Sequence, residues 1–134
     1  MTDIRNKLDM LPDKISLQGE SWSIAIIAGL FNEIGQEIYG QCNSNMHLIS
    51  INSLPPYECD GATVANTIVH ELLHAVIAPV SGSDIILNNE QEEVLVTVIT
   101  DRLMSLLFDN PQLIEAIGNI HASAGTLDDE ILGT

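Results

Sequence analysis

Residues 67 to 78 read TIVHELLHAVIA, and within them His70 and His74 stand four apart with Glu71 directly after the first. On an α-helix, positions four apart lie one above the other, so the two imidazoles project to one side and can share a metal ion. Glu71 is turned by about 100° from His70, which brings its carboxylate to the ion's water rather than to the ion. The chemistry implied is metal-assisted hydrolysis. Two neutral imidazoles hold Zn²⁺, the ion lowers the pKa of its water towards neutrality, and Glu71 takes the proton as that water attacks a carbonyl. The five residues are flanked by apolar Ile68, Val69, Ala75 and Val76. Two histidines buried there without a partner would be costly, and a shared metal supplies one.

Catalytic zinc usually has three protein ligands and an open fourth position. A third histidine of the metzincin type would need Gly at 77 and His at 80, where this chain has Ile77 and Val80. A glutamate from a following helix is the alternative, and NNEQEEVLVTVIT offers Glu90, Glu92 and Glu93. Helical projection sets Glu92 in the apolar stripe Leu95, Val96, Ile99 and Leu103, where a buried carboxylate needs a partner such as a metal. HELLH followed by a glutamate-led helix resembles the glutamate-type zincins, or gluzincins, and is similar to small phage-encoded zincin-like proteins over roughly residues 45 to 108.

That resemblance implies zinc held by His70, His74 and Glu93, because the family's glutamate commonly has a polar residue four places on and a small one seven places on, as Thr97 and Thr100 are here. Thr97 departs from the Asp or Asn often found at its place. Glu92 stands as the alternative third ligand, with Glu90 behind both. Glutamates not used as ligands are helix N-terminal charge that favours the macrodipole. The resemblance also implies an α+β, zincin-like fold: a small, mostly antiparallel sheet packed against the HExxH helix and a following long helix. It implies a peptide or protein substrate too, paired as an added strand with the strand at 46 to 52.

The elements that must position these residues can be read from pattern. KISLQ (14 to 18) and SWSIAIIA (21 to 28) suit two strands around Gly19-Glu20, with Trp22 in the core. A second pair is expected at 33 to 42 and 45 to 53, the latter with one face buried and one less so. A short helical turn is expected before Pro12. PPYECDGAT is turn chemistry, with Asp60 or Thr63 as N-cap of a helix from 63 to 78 that Pro79 ends. A second helix is expected over 90 to 108, its dense apolar run implying packing on much of its circumference. DNP at 109 to 111 breaks it, a short helix follows over 111 to 121, and the tail LDDEILGT is expected to fray.

The chain of 134 residues is expected to form a single domain, 1 to 134, with a hydrophobic content of 46% that suits a folded protein. Four Lys and Arg against 19 Asp and Glu give a net charge of −15. Such a surface repels phosphate backbones and anionic lipid and favours cations, so neither nucleic acid nor membrane is an expected partner. No signal-like or membrane-spanning apolar run is present, which leads us to expect a cytoplasmic protein, in the host cytoplasm if viral. Cys42 and Cys59 are expected to be reduced. His47, Tyr57, Tyr39 and His121 are weak candidates for stabilising an oxyanion, and Arg102 is expected to pair with Asp101 or another acid. The leading expectation is a zinc-dependent hydrolase, a small metallopeptidase with Glu71 as general base. The alternative is a non-catalytic zincin-like interaction or assembly module with a structural or vestigial metal site. Glu71 speaks against the alternative, because a purely structural site has no use for a base; Cys42 or Cys59 on the metal would speak for it.

Overall fold

A computed structural model describes residues 7–53, 61–77 and 87–123. The architecture is α+β: the named elements among the described residues are four strands, β1 (Lys14–Leu17), β2 (Glu20–Ile27), β3 (Gly40–Asn43) and β4 (Leu48–Asn52), then three helices, α1 (Gly61–Ile77), α2 (Asn89–Asp109) and α3 (Pro111–Ala122). By its contacts the chain separates into two compact units, residues 1–100 and 101–134. The sheet, α1 and the first half of α2 belong to the first.

The sheet order is β1-β2-β4-β3. β1 and β2 form the expected hairpin, closed by Gln18 and Gly19 at φ +54° and +79°. Positive φ at both central residues is the two-residue turn whose twist matches that of paired strands, and glycine supplies one of the two at no steric cost. β3 and β4 are also antiparallel, but β2 and β4 run parallel. The sheet is therefore mixed, with antiparallel outer pairs and a parallel pair at its centre.

Register then fixes which residues look towards α1. The cross-strand partners Ile15 and Trp22, Ile24 and Ile49, Ile26 and Ile51, Cys42 and Ile49, and Gly40 and Ile51 share one face. α1 packs on β3 and β4, and Trp22, Ile49, Ile51 and Ala75 form the core there with Leu8 of the N-terminal turn. Burying Ile49 and Ile51 contributes roughly 2–3 kcal/mol each by area. Trp22 is core, as expected.

Several expectations need correction. β4 is buried on both faces, since Ser50 and Asn52 are buried as well as Ile49 and Ile51. It is hydrogen-bonded along both edges, so it cannot accept an added strand; among the described residues the sheet edge on this side is β3. Residues 33 to 39 are not strand. Asn32 builds a turn there, its Oδ1 accepting from the backbone N–H of Ile34 and Gln36, with Gly35 at φ +82°. The second helix is not packed around its circumference: Val96 and Thr100 are buried, but Val94, Leu95, Val98, Leu106 and Phe108 are exposed. α1 already covers β3 and β4, which leaves only one face of α2 an inward role.

In the second unit, Pro111 opens α3 after the break at Asn110, where a missing N–H costs nothing. α3 is exposed along its length, with His121 in its last turn. Arg102 forms no ion pair among the described residues, contrary to expectation, and stands exposed. Thr63 lies inside α1, which begins at Gly61, and so is not its N-cap; the other candidate cap Asp60 and the stop at Pro79, with Tyr57, Cys59 and the tail, lie outside the described residues. No helix among the described residues is long and apolar enough to cross a membrane.

Candidate metal centre

The site is built from two turns of α1 and the first turn of α2. His70 and His74 lie on one side of α1 with ring centroids 4.9 Å apart and planes at 69°. Glu93 meets both: its Oε1 is 2.9 Å from His70 Nε2 and its Oε2 is 2.9 Å from His74 Nε2. Glu92 approaches from the other side of the His74 ring, with Oε2 2.9 Å from Nδ1. Glu90 is exposed and stands outside the cavity around these residues.

One ligand atom from each of His70, His74 and Glu93 can be chosen so that all lie within 4.8 Å of one another, close enough to hold a metal ion. Tetrahedral zinc with bonds of about 2.0–2.1 Å sets its ligands roughly 3.4 Å apart, so only a small contraction or rotation is needed. The hydrogen-bond pattern fits a cation as well. A neutral imidazole carries one N–H, yet both nitrogens of His74 face a carboxylate oxygen at 2.9 Å. The arrangement is satisfied when Nδ1–H donates to Glu92 and Nε2 either donates to Glu93 as the second N–H of an imidazolium or turns its lone pair to a cation shared with Glu93. A carboxylate on the far nitrogen of a ligating histidine fixes its tautomer and raises its basicity. Glu92 and Glu93 thus do different work on one ring.

Glu71 sits on the adjoining face of α1 and is buried, 9% exposed. Burial pushes its carboxyl up to about 7; the charge of Glu93 adds to this and that of His74 opposes it. Its place depends on β3. Gly40 faces α1, and a Cβ added there would lie 3.0 Å from Glu71 Cγ and 2.9 Å from Thr67 Cγ2. The helix can approach the strand this closely because residue 40 has no side chain. Cys42, on the same face, is a free thiol that burial above all, then the charges of Glu71 and Glu92, push up to about 12. A thiol so held is inert towards electrophiles.

A cavity of about 400 Å³ opens on this group, walled by β3 on one side and by His70, Glu71, His74, Glu92 and Glu93 on the other. Of the expected oxyanion candidates, Tyr39 lines a neighbouring cavity that shares Gly40, His70 and Glu71 with the first. His47 is elsewhere, stacked on Trp22 at 4.7 Å with its Nε2 3.2 Å from Glu20 Oε2. His121 lies in the second unit. Sequence reasoning passed over Gly40, Ser44 and Asn89, which line this cavity with Cys42. A glycine inside a strand pattern is a signal of close backbone approach, and EIYGQC carried it. No protein-family model, curated protein or solved structure matches the chain, so what the site can do rests on its own geometry.

Proposed function

We propose that the protein is a zinc-dependent hydrolase, and most concretely a small metallopeptidase of the gluzincin type. The observation that carries this reading is the convergence of His70, His74 and Glu93 with a buried carboxylate, Glu71, one residue from a ligand. In this reading zinc, when bound, polarises the scissile carbonyl and makes a water acidic enough to attack it. The chain supplies the rest. His70, His74 and Glu93 hold the ion, and Glu92 keeps the His74 ring in one tautomer. Glu71 accepts the proton of the attacking water at its carboxylate and returns it to the leaving amine. A purely structural site would have no use for a proton acceptor kept buried beside it. The zincin-like fold and the likeness to phage-encoded proteins belong to this same reading, supported by HELLH and the downstream glutamate.

Elemental analysis together with turnover of peptide substrates tests the reading. The purified protein is expected to carry about one zinc per chain, and the His74→Ala variant to lose it. Glu71→Gln is expected to keep the zinc while cleavage falls by about 10²–10⁴-fold. Equal zinc in His74→Ala, or undiminished turnover in Glu71→Gln, would refute it.

A further inference from the structure

Two cavities meet at the site. One, of about 400 Å³, holds the metal-binding group; the second, of about 370 Å³, lies towards the N-terminal end of α1, and the two share Gly40, His70 and Glu71. A substrate whose reacting bond lies at the first has room to extend past Glu71 into the second. The second lobe is walled by Glu37, Ile38 and Tyr39 on one side and by Asn66 and Thr67 on the other.

The wall at 37 to 39 is rigidly built. Buried Asn52 donates from Nδ2 to the Ile38 carbonyl at 2.8 Å and accepts the Gly29 N–H at 3.1 Å, while its own backbone N–H bonds the Tyr39 carbonyl at 2.8 Å. Ile38 N–H bonds the Leu30 carbonyl at 2.9 Å, and Phe31 bridges Glu37. The lobe is thus a formed pocket, in the size range of ligand sites.

Its chemistry is one-sided. The two lobes are lined by four carboxylates, Glu37, Glu71, Glu92 and Glu93, and by no Lys or Arg. Three of the four belong to the metal-binding group or stand beside it. Glu37 does not, and among the described residues it has no ion-pair partner. Ile38 and Tyr39 line the lobe beside Glu37. A lobe whose lining is partly apolar and includes a carboxylate with no ion-pair partner matches a side chain with an aliphatic stem and a cationic head.

We infer that this lobe is a substrate subsite for a lysine or arginine side chain, with Glu37 as the residue that selects it, so that the substrates are basic peptides. The inference rests on the hydrolase reading for the place of the reacting bond, but binding tests it separately. The probes are two fluorescein-labelled alanine-rich nonapeptides that differ only in a central lysine or norleucine. Their binding to zinc-loaded Glu71→Gln protein is followed by anisotropy. The lysine peptide is expected to bind about three- to fivefold tighter at low salt, with the gap shrinking in 0.5 M NaCl. In the Glu71→Gln/Glu37→Gln double variant the gap is expected to close. Asp13→Asn in place of Glu37→Gln makes the same charge change beside β1, at the opposite edge of the sheet, and should leave it intact. Equal binding of the two peptides, a preference that survives Glu37→Gln, or no binding of either overturns the inference. A Glu37-dependent preference in a protein that cleaves neither peptide sustains the inference and defeats the hydrolase reading.

Discussion

Replacing Gly40 by alanine tests whether the approach of α1 to β3 sets the position of Glu71. A Cβ at residue 40 would sit 2.9 Å from Thr67 Cγ2, 3.0 Å from Glu71 Cγ and 3.3 Å from the Ser50 carbonyl oxygen. Carbon pairs prefer about 3.5–4.0 Å, so two contacts are short by roughly 0.5–1 Å. The Ser50 carbonyl belongs to β4, which is hydrogen-bonded on both sides and holds β3 in place. α1 must therefore give way, and Glu71 moves with it. Inserting a methyl into a packed contact costs about 1–3 kcal/mol. Gly40 has an ordinary backbone conformation, so alanine also gains about 0.4–1 kcal/mol by restricting the unfolded chain. The net expectation is a loss of about 1–2 kcal/mol, or roughly 5–10 °C in Tm for a unit of this size. Thermal unfolding of zinc-loaded Gly40→Ala measures it, beside Gly61→Ala, where an added Cβ meets nothing within 4 Å. Zinc affinity should weaken as well, because α1 carries His70 and His74 with Glu71 and away from Glu93 on α2, and peptide turnover should fall by on the order of 10²-fold for a displacement near 1 Å. A Gly40→Ala protein as stable and as active as the native one would refute the reasoning.

Asn52→Ala removes a side chain that satisfies both the Gly29 N–H and the Ile38 carbonyl, and should cost about 2–3 kcal/mol in urea unfolding while loosening the Glu37 wall. In metal-free protein the raised carboxyl of Glu71 makes stability depend on pH. Its folded value of about 7 exceeds the ordinary carboxyl value of 4.5, so its contribution is fully present below 4.5 and is lost as pH rises through 7. With EDTA present, Glu71→Gln should therefore gain stability relative to native protein between pH 4.5 and 8, by on the order of 3 kcal/mol. A pH-independent difference between the two proteins would show that Glu71 is not held as a buried acid.

What could be read from the sequence was what repeats along one element. The pair His70 and His74 needs only helical periodicity, and α1 and α2 begin and end within two residues of their expected bounds. The choice between Glu92 and Glu93 could not be made that way, since neighbours on a helix differ by about 100° and either can reach a partner lying between them. Both in fact reach His74, on opposite ring nitrogens, so helical projection and family pattern each pointed to one half of a shared arrangement. Contacts made across the sheet were less legible. That β4 lies inside and β3 at the edge follows from the parallel pairing of β2 with β4, which no local pattern announces. Residues 33 to 39 carried strand-like side chains, yet Asn32 caps a turn there through its own oxygen, a competition between side chain and ladder that strand propensity does not see.

The three carboxylates at the centre show how environment can divide one residue type among several tasks. Glu93 is more than half exposed at its side chain, and both its oxygens face imidazoles, so it can give them to a cation with little desolvation cost. Glu92 is less exposed and offers one oxygen to the far nitrogen of His74, where a hydrogen bond orients the ring. Glu71 is buried against Gly40, and desolvation weakens its hold on a negative charge, which would suit the proton acceptor of the proposed hydrolase. A negative charge on Glu71 is opposed by Glu93, and the chain's net charge of −15 offers no relief. A dication shared by His70, His74 and Glu93 would supply that relief. The feature that makes the site costly without metal is therefore the same one that would make it selective for metal.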